Sequence, residues 1–246
     1  MAKSEHLLDA DDIHTYYGDS YIIQGVSLHV SAGQIVTLLG RNGMGKTTLI
    51  RSIAGLTPPR QGKILFKGAS LVGRPAYEVA KLGLALVPQG RQIFPSLTVM
   101  ENLLLPTSKL AGRGTGKNAA AGRWNLAAVQ EQFPRLAERG KQLGGSLSGG
   151  EQQMLSIARA LMSNPDLILM DEPSEGLAPV MVQQIREIMR SIQGQGHSIL
   201  LVDQNFKLAM AVADYAYVIT SGRIVFQGSP PELQSQTEIL NRHLGV

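Results

Sequence analysis

Apolar residues along this chain follow two rhythms. QIVTLL (34–39), LALV (84–87), LILM (167–170) and SILLV (198–202) are unbroken runs of the length of strands covered on both faces. Elsewhere apolar positions recur every three or four residues: Leu49, Ile50, Ile53, Ala54 and Leu56 in one stretch, Met154, Leu155, Ile157, Ala158 and Leu161 in another. Both read as helices with one buried side, and so does 179–193. Residues 7–36 alternate short extended pieces with turns such as YYGD (16–19) and SAGQ (31–34), predicting a small, mostly antiparallel β layer. TPPRQG (57–62) is a turn, followed by a strand at 63–66, a turn at 67–68 and a strand over 84–89.

From 97 to 159 the pattern is helical, interrupted by a Gly/Ala/Ser-rich stretch at 107–122 that reads as a flexible connection, with a short helix around 118–121 as the alternative. Strands at 166–171, 198–202, 215–219 and 223–226, a helix at 179–193 and an amphipathic segment at 237–244 complete the chain. The expectation is an α/β fold of one domain, 1–246: a core of 1–89 and 161–246 with a mixed sheet, and an inserted α-helical subdomain at 90–160.

Composition narrows the class. With 246 residues the chain can bury a full core, and 43% hydrophobic with 5% aromatic residues is ordinary for an α/β protein. There is no cysteine, so disulfides and cysteine–zinc sites are excluded. The first twelve residues lack the apolar core of a signal peptide, and no run approaches the roughly 20 apolar residues needed to span a bilayer. A net charge of +4 is spread along the chain without a basic cluster, so solvated faces are expected rather than a nucleic-acid partner.

The chemistry begins at GRNGMGKTT, Gly40–Thr48, which fits G-x-x-x-x-G-K-[ST] at every fixed position. Glycines let backbone N–H groups of the loop, from Arg41 and Asn42 through Gly43, Met44 and Gly45, turn inward around phosphates. Lys46 reaches the β- and γ-phosphates, the Thr47 hydroxyl is placed to ligate Mg²⁺, and Thr48 continues into the helix. A strand before and a helix after put the phosphates at a helix N-terminus, so the chain binds a nucleoside triphosphate. Asp171 and Glu172 end the apolar strand 167–170. Beside a phosphate loop, Asp171 would hold Mg²⁺ through water and Glu172 would polarise an attacking water. Adjacent carboxylates favour hydrolysis over transfer to a second substrate.

LSGGEQQ (147–153) adds a second anion-binding element. Ser148 with Glu151 three residues on is a capping box. Two glycines directly after the cap each cost a helix about 1 kcal/mol relative to alanine, which makes sense if something must come close to the backbone. Two such elements in one chain suggest a nucleotide held between two subunits.

Together, Gly40–Thr48, Gln89, LSGGEQQ (147–153) and LILMDEP (167–173) resemble the nucleotide-binding subunit of an ATP-binding-cassette (ABC) transporter over essentially the whole chain. The resemblance implies a P-loop NTPase core and a head-to-tail dimer holding two ATP. The phosphate loop of one subunit and the LSGG helix of the other grip each ATP, so that Ser148, Gly149 and Gly150 contact a γ-phosphate across the interface. It implies that Tyr17, with Tyr16 as rival, stacks on adenine, and that Gln89 touches Mg²⁺ and the attacking water. Two integral-membrane permease subunits, an extracytoplasmic solute-binding protein acting indirectly, and a peripheral position on the cytoplasmic face of the bacterial inner membrane follow as well. The second ATPase is either a sister subunit or a second copy of the chain. The segment 90–102 would form a groove for a permease helix, with Phe94, Leu97 and Val99 lining it or serving as subdomain core.

VPQGRQIFPSLTVMENL (87–103), FPRL (133–136), SLSGGEQQMLSIARALMSNP (146–165) and DEPSEGLAP (171–179) resemble more closely the second ATPase of bacterial branched-chain amino-acid importers, the LivF-type branch. Urea and short-amide importers share much of this. Two positions depart from the broad pattern. Gln204 stands at the switch position usually held by histidine and can hydrogen-bond a γ-phosphate without carrying a proton. Ala178 replaces an aspartate common in relatives. Both features resemble the same branch and imply an active but weaker site paired with a sister that keeps the histidine. His197, before the strand, reads as a surface histidine. A soluble ABC ATPase without a transporter would carry long coiled-coil inserts or two fused cassettes, and LSGGEQQ disfavours a P-loop kinase or GTPase.

Overall fold

The computed structural model describes residues 6–106 and 124–245. The expected connection at 107–122 lies outside them. Strands β1 (Leu8–Tyr17), β2 (Ser20–Val30), β4 (Gln61–Phe66) and β5 (Ala69–Ser70) form an antiparallel sheet in the order β2-β1-β4-β5. Strands β3 (Ile35–Leu39), β6 (Leu84–Val87), β7 (Leu167–Asp171), β8 (Ser198–Asp203), β9 (Tyr215–Thr220) and β10 (Arg223–Gly228) form a second sheet ordered β10-β9-β3-β8-β7-β6. All neighbours in it are parallel except β9 and β10, so the expected mixed sheet is present. β9 is an interior strand paired to β3, and β6 stops at Val87 because Pro88 has no N–H to offer the ladder.

Helix α1 (Lys46–Ile53) lies between the two sheets and buries Leu49, Ile50 and Ile53 in a cluster with Leu8, Ile13, Val26, Phe66 and Leu200. Leu56, read as part of that buried stripe, falls beyond the helix and is 44% exposed. Between β6 and β7 the described chain is helical: α3 (Val99–Leu104), α4 (Leu126–Gln132), α5 (Pro134–Glu138), a short 3₁₀ turn (Gly144–Ser146) and α6 (Gly149–Leu161). The stripe predicted on α6 is buried in full and packs in one cluster with Ile168 and Met170 of β7 and Met189 of α7 (Pro179–Gly194).

Three short helices had no signal in the apolar period: α2 (Ala76–Lys81), α8 (Phe206–Val212) and α9 (Pro230–Ser235), with one to three buried residues each. The amphipathic segment expected at 237–244 is helical, a first turn α10 (Thr237–Ile239) widening into a π-type turn. It lays Ile239, Leu240 and Leu244 against Leu39, Ala216 and Val218.

His197 is not a bare surface residue. It is half-buried, receives the Trp124 indole N–H on Nε2 (3.1 Å) and has Nδ1 2.7 Å from the Pro165 carbonyl. With Asn164 donating to the Trp124 carbonyl (2.8 Å), it ties Trp124, just ahead of α4, to the strand-bearing core.

Candidate ATP site

The phosphate loop follows β3 at the centre of the parallel sheet, where an apolar run with no side-chain competition ends abruptly in Gly40. A Cβ at Gly40 would stand 2.6 Å from the Ile219 carbonyl oxygen of β9, so this glycine is required by the sheet beneath it rather than by a ligand above. Gly45 has φ 102° and lies against Ile23, so both its backbone and its surroundings exclude a side chain. It starts α1 with no side-chain cap, which leaves the first-turn N–H groups of Lys46, Thr47 and Thr48 free for a ligand. Met44 is fixed from the other side, its carbonyl accepting from Gly222 N–H at 3.1 Å. Arg41, Asn42 and Gly43 are exposed.

Beneath the loop five expected residues converge. Lys46 Nζ donates to the carbonyls of Gly40 (2.9 Å) and Arg41 (3.1 Å) and lies 3.0 Å from Glu172 Oε1, both side chains being 4% exposed. Thr47 Oγ1 donates to Asp171 Oδ1 (3.0 Å). Gln89 Nε2 donates to Glu172 Oε2 and to Glu175 Oε2, each at 3.1 Å. Burial is the main cause that pushes Asp171 up to about 6; the Glu172 charge adds to it, while Thr47, Lys46 and Arg51 pull the other way. Glu172 has φ 48°, in the left-handed region, a conformation that costs a non-glycine residue on the order of 1 kcal/mol or more and concentrates at functional sites. Its N–H is held by the Val202 carbonyl at 2.7 Å, so β8 maintains that conformation.

Gln204 is exposed and lines a cavity of about 400 Å³ with Gly40, Arg41, Asn42 and Leu244. The preceding Asp203 is buried at the end of β8, accepting the Ser174 hydroxyl (3.0 Å) and the Asn205 N–H (2.8 Å), and burial raises its carboxyl. It thereby joins the segment after Glu172 to the switch position. Neither Asp203 nor Glu175 was singled out from sequence; Asp203 shows only once β7 and β8 are set side by side, and Glu175 once β6 and β7 are.

The donor set suits a hydrated divalent ion shared with phosphates. Among the described residues no group of three or more His, Cys, Asp or Glu could hold a metal. Thr47, Asp171 and Gln89 offer oxygen atoms that could hold such an ion together with phosphate and water oxygens.

The remaining expected residues lie apart from this cluster. Ser148 caps α6, its hydroxyl and N–H both directed to Glu151. A Cβ at Gly149 would meet the Arg91 guanidinium (2.5 Å), and one at Gly150 would meet Met181 of α7 (2.6 Å). The close approach expected there thus already occurs within the chain. Tyr16 is flanked by its β2 neighbour Tyr21 (centroids 4.4 Å, stacked) and by Arg60 from the β4 side, with the guanidinium 4.4 Å from its ring centroid. Tyr17 is 46% exposed.

A second, apolar cavity of about 540 Å³ opens between the sheet core and the helices, lined by Leu56, Val79, Leu86, Phe94, Leu105 and Arg159 among others. Phe94 lines it and is 50% exposed, whereas Val99 is core and Leu97 half-buried. Among the described residues no helix is long and apolar enough to cross a membrane.

Residues 23–175 match the ABC transporter family model. The chain is 43% identical to the high-affinity branched-chain amino acid transport ATP-binding protein BraG of Pseudomonas aeruginosa, covering 97% of this chain and all of that one. It is 33% identical to the lipopolysaccharide export system ATP-binding protein LptB of Haemophilus influenzae over 97% of each. It is also 33% identical to a probable branched-chain amino acid transport ATP-binding protein, LivF, of Archaeoglobus fulgidus, over 94% of this chain and 95% of that one. A solved ATP-binding cassette of an ABC transporter in its ADP conformation superposes with a TM-score of 0.82 at 26% identity, covering 97% of this chain and 98% of the other. The paired phosphate loop and carboxylates, the LSGG helix and these full-length likenesses converge: the chain belongs to the ATP-binding subunits of ABC transporters and is a transport ATPase.

Proposed function

We propose that this chain is the LivF-type ATPase of a bacterial importer and powers uptake of branched-chain amino acids. The observation that carries the solute class is the 43% identity with BraG along the full length of both chains. On this reading 1–246 is one cassette, with core 1–89 and 161–246 and helical subdomain 90–160. It works head-to-tail with a sister ATPase, or with a second copy of itself, beneath two permease subunits at the cytoplasmic face of the inner membrane. An extracytoplasmic binding protein delivers the solute, which never touches this chain.

The geometry supports the following roles. Tyr17 stacks on adenine, being 46% exposed while the Tyr16 ring is already packed against Tyr21 and Arg60. Residues 41–48 receive the phosphates through backbone N–H groups and Lys46. Thr47, Gln89 and, through water, Asp171 would hold Mg²⁺, which would supply positive charge against the phosphates. Glu172 takes the proton of the attacking water, and Gln204 donates to the γ-phosphate without exchanging a proton. Ser148, Gly149 and Gly150 complete the partner's site. The apolar groove beside Phe94 receives a permease helix, and Gln89, five residues before Phe94 in the chain and bonded to Glu172, carries movement to the carboxylates. The Gln204 site turns over more slowly than that of a sister that keeps histidine.

Uptake of radiolabelled leucine in cells lacking this chain, complemented with the wild-type chain or Glu172→Gln, tests the proposal. Leucine uptake should vanish on deletion and return only with wild type. Intact leucine uptake with loss of urea uptake would move the chain to the urea and short-amide branch, and an envelope lipopolysaccharide defect alone would move it to export.

A further inference from the structure

The turn that opens α6 carries a charge at odds with receiving a phosphate. Glu151 occupies the third helical position, and its Oε2 accepts both the Ser148 N–H (2.9 Å) and the Ser148 hydroxyl (2.7 Å). That arrangement favours the helix, since an acid in the first turn complements the positive end of its dipole. It opposes a second anion at the same place, because a serine hydroxyl has one proton to give and here gives it to Glu151. Burial would raise the Glu151 carboxyl, yet the two Ser148 hydrogen bonds together with Arg139 and Arg135 outweigh it and hold it below the ordinary carboxylate range. Glu151 is thus charged at neutral pH, one hydrogen bond away from the hydroxyl assigned to the γ-phosphate.

The other carboxylate oxygen is taken by a cation. Arg139 Nε lies 3.0 Å from Glu151 Oε1, on a pair whose side chains are 36% and 17% exposed. Arg139 follows α5 directly, and the chain around it is anchored. Gly140 and Gln142 carbonyls accept from Met100 and Val99 N–H of α3 at 3.0 and 2.9 Å, so the guanidinium is presented from a fixed backbone. The Arg91 guanidinium lies against Gly149, and among the described residues it has no hydrogen-bond or ion-pair partner. With Glu151 neutralised by Arg139, the charge left around Ser148–Gly150 is positive.

We propose that Arg139 is a positioning residue for the signature half-site: by compensating Glu151 it lets the Ser148 hydroxyl and the first-turn N–H groups turn to a γ-phosphate held by the partner subunit. This rests on the reading of Ser148–Gly150 as the contact across the dimer. Its consequence is that Arg139 matters only while residue 151 is charged.

The test is steady-state ATPase kinetics of the whole transporter reconstituted in membranes, beside ATP binding by the isolated full chain. Arg139→Ala should raise KM for ATP about tenfold in the transporter, the effect of one uncompensated charge near the phosphate. It should leave ATP affinity of the isolated chain unchanged, because its own phosphate loop is untouched. Adding Glu151→Gln should bring KM back to that of Glu151→Gln alone, and Arg139→Lys should fall between wild type and Arg139→Ala. A purely structural role predicts instead that the double variant is as impaired as Arg139→Ala, and that result, or an unmoved KM in Arg139→Ala, overturns the proposal. Ser148→Ala separates the two levels. If it raises KM while Arg139→Ala does not, only the role of Arg139 falls; if it too leaves KM unmoved, the contact across the dimer falls and takes the role of Arg139 with it.

Discussion

Two helices in this molecule begin at a turn suited to an anion, and they begin in opposite ways. α1 starts from Gly45 with no side-chain cap, above a lysine and two carboxylates that are all buried. α6 starts from Ser148 with a complete capping box, at an exposed turn whose acid is held by a partly exposed arginine. An uncapped helix end gives up a stabilising contact worth about 1 kcal/mol and keeps its N–H groups for a ligand. A capped end is satisfied alone and must be redirected before it can bind. The first is built to hold a nucleotide within one chain; the second makes sense as the half that engages only when a partner brings the phosphate.

That contrast can be broken at several points. The largest effect is expected at the buried side: Glu172→Gln should reduce phosphate release by about a thousandfold, the scale of losing a general base, while nucleotide binding stays near wild type. Persisting hydrolysis would assign the base elsewhere. Next, Gly40→Ala should lower unfolding free energy by about 1–3 kcal/mol, since its methyl group meets a backbone carbonyl that cannot swing away; chemical denaturation reads this, and an unchanged midpoint would mean the loop is softer than the sheet beneath it implies. On the exposed side, Ser148→Ala should cost about 1 kcal/mol of helix stability and raise KM for ATP in the assembled transporter, with no change in binding by the isolated chain. A weaker grip in the isolated chain would erase the distinction between the two halves. Smallest is Gln204→His, expected to raise turnover about two- to tenfold by restoring a group that can pass a proton at neutral pH. A fall would show that the glutamine is matched to its surroundings.

Legibility in the sequence followed the same division. Strands buried on both faces are unbroken apolar runs, and β3, β7 and β8 stand where those runs are. The α6 stripe and its cap are readable because spacing alone defines them; TVME at 98–101 and SPPE at 229–232 form two further capping boxes of the same spacing. What escaped depended on packing. α2 buries only Val79, so no apolar period announces it. Leu56 has the right spacing yet sits past the helix end, where Gly55 turns the chain at φ 73°. His197 looked superficial until Trp124, seventy-three positions away, supplied its partner. The glycines of LSGG point to a close approach, and within the chain Arg91 and Met181 come close to them, which spacing does not foretell. The loop chemistry was spelled out in order along the chain, whereas Glu175, Asp203 and Arg139 act through neighbours distant in sequence.

The pairing of Lys46 with Glu172 has a further consequence for how the transporter spends nucleotide. One ammonium serves both the carboxylate proposed as base and the phosphates proposed as its target. On the proposed roles, arrival of a triphosphate would draw that cation toward itself and loosen its hold on the base, so that substrate and base would become available in the same motion. With Glu172 as the base, the pair would work as an interlock: the chain would be armed by what it is meant to consume, and an idle subunit would keep its base shut away.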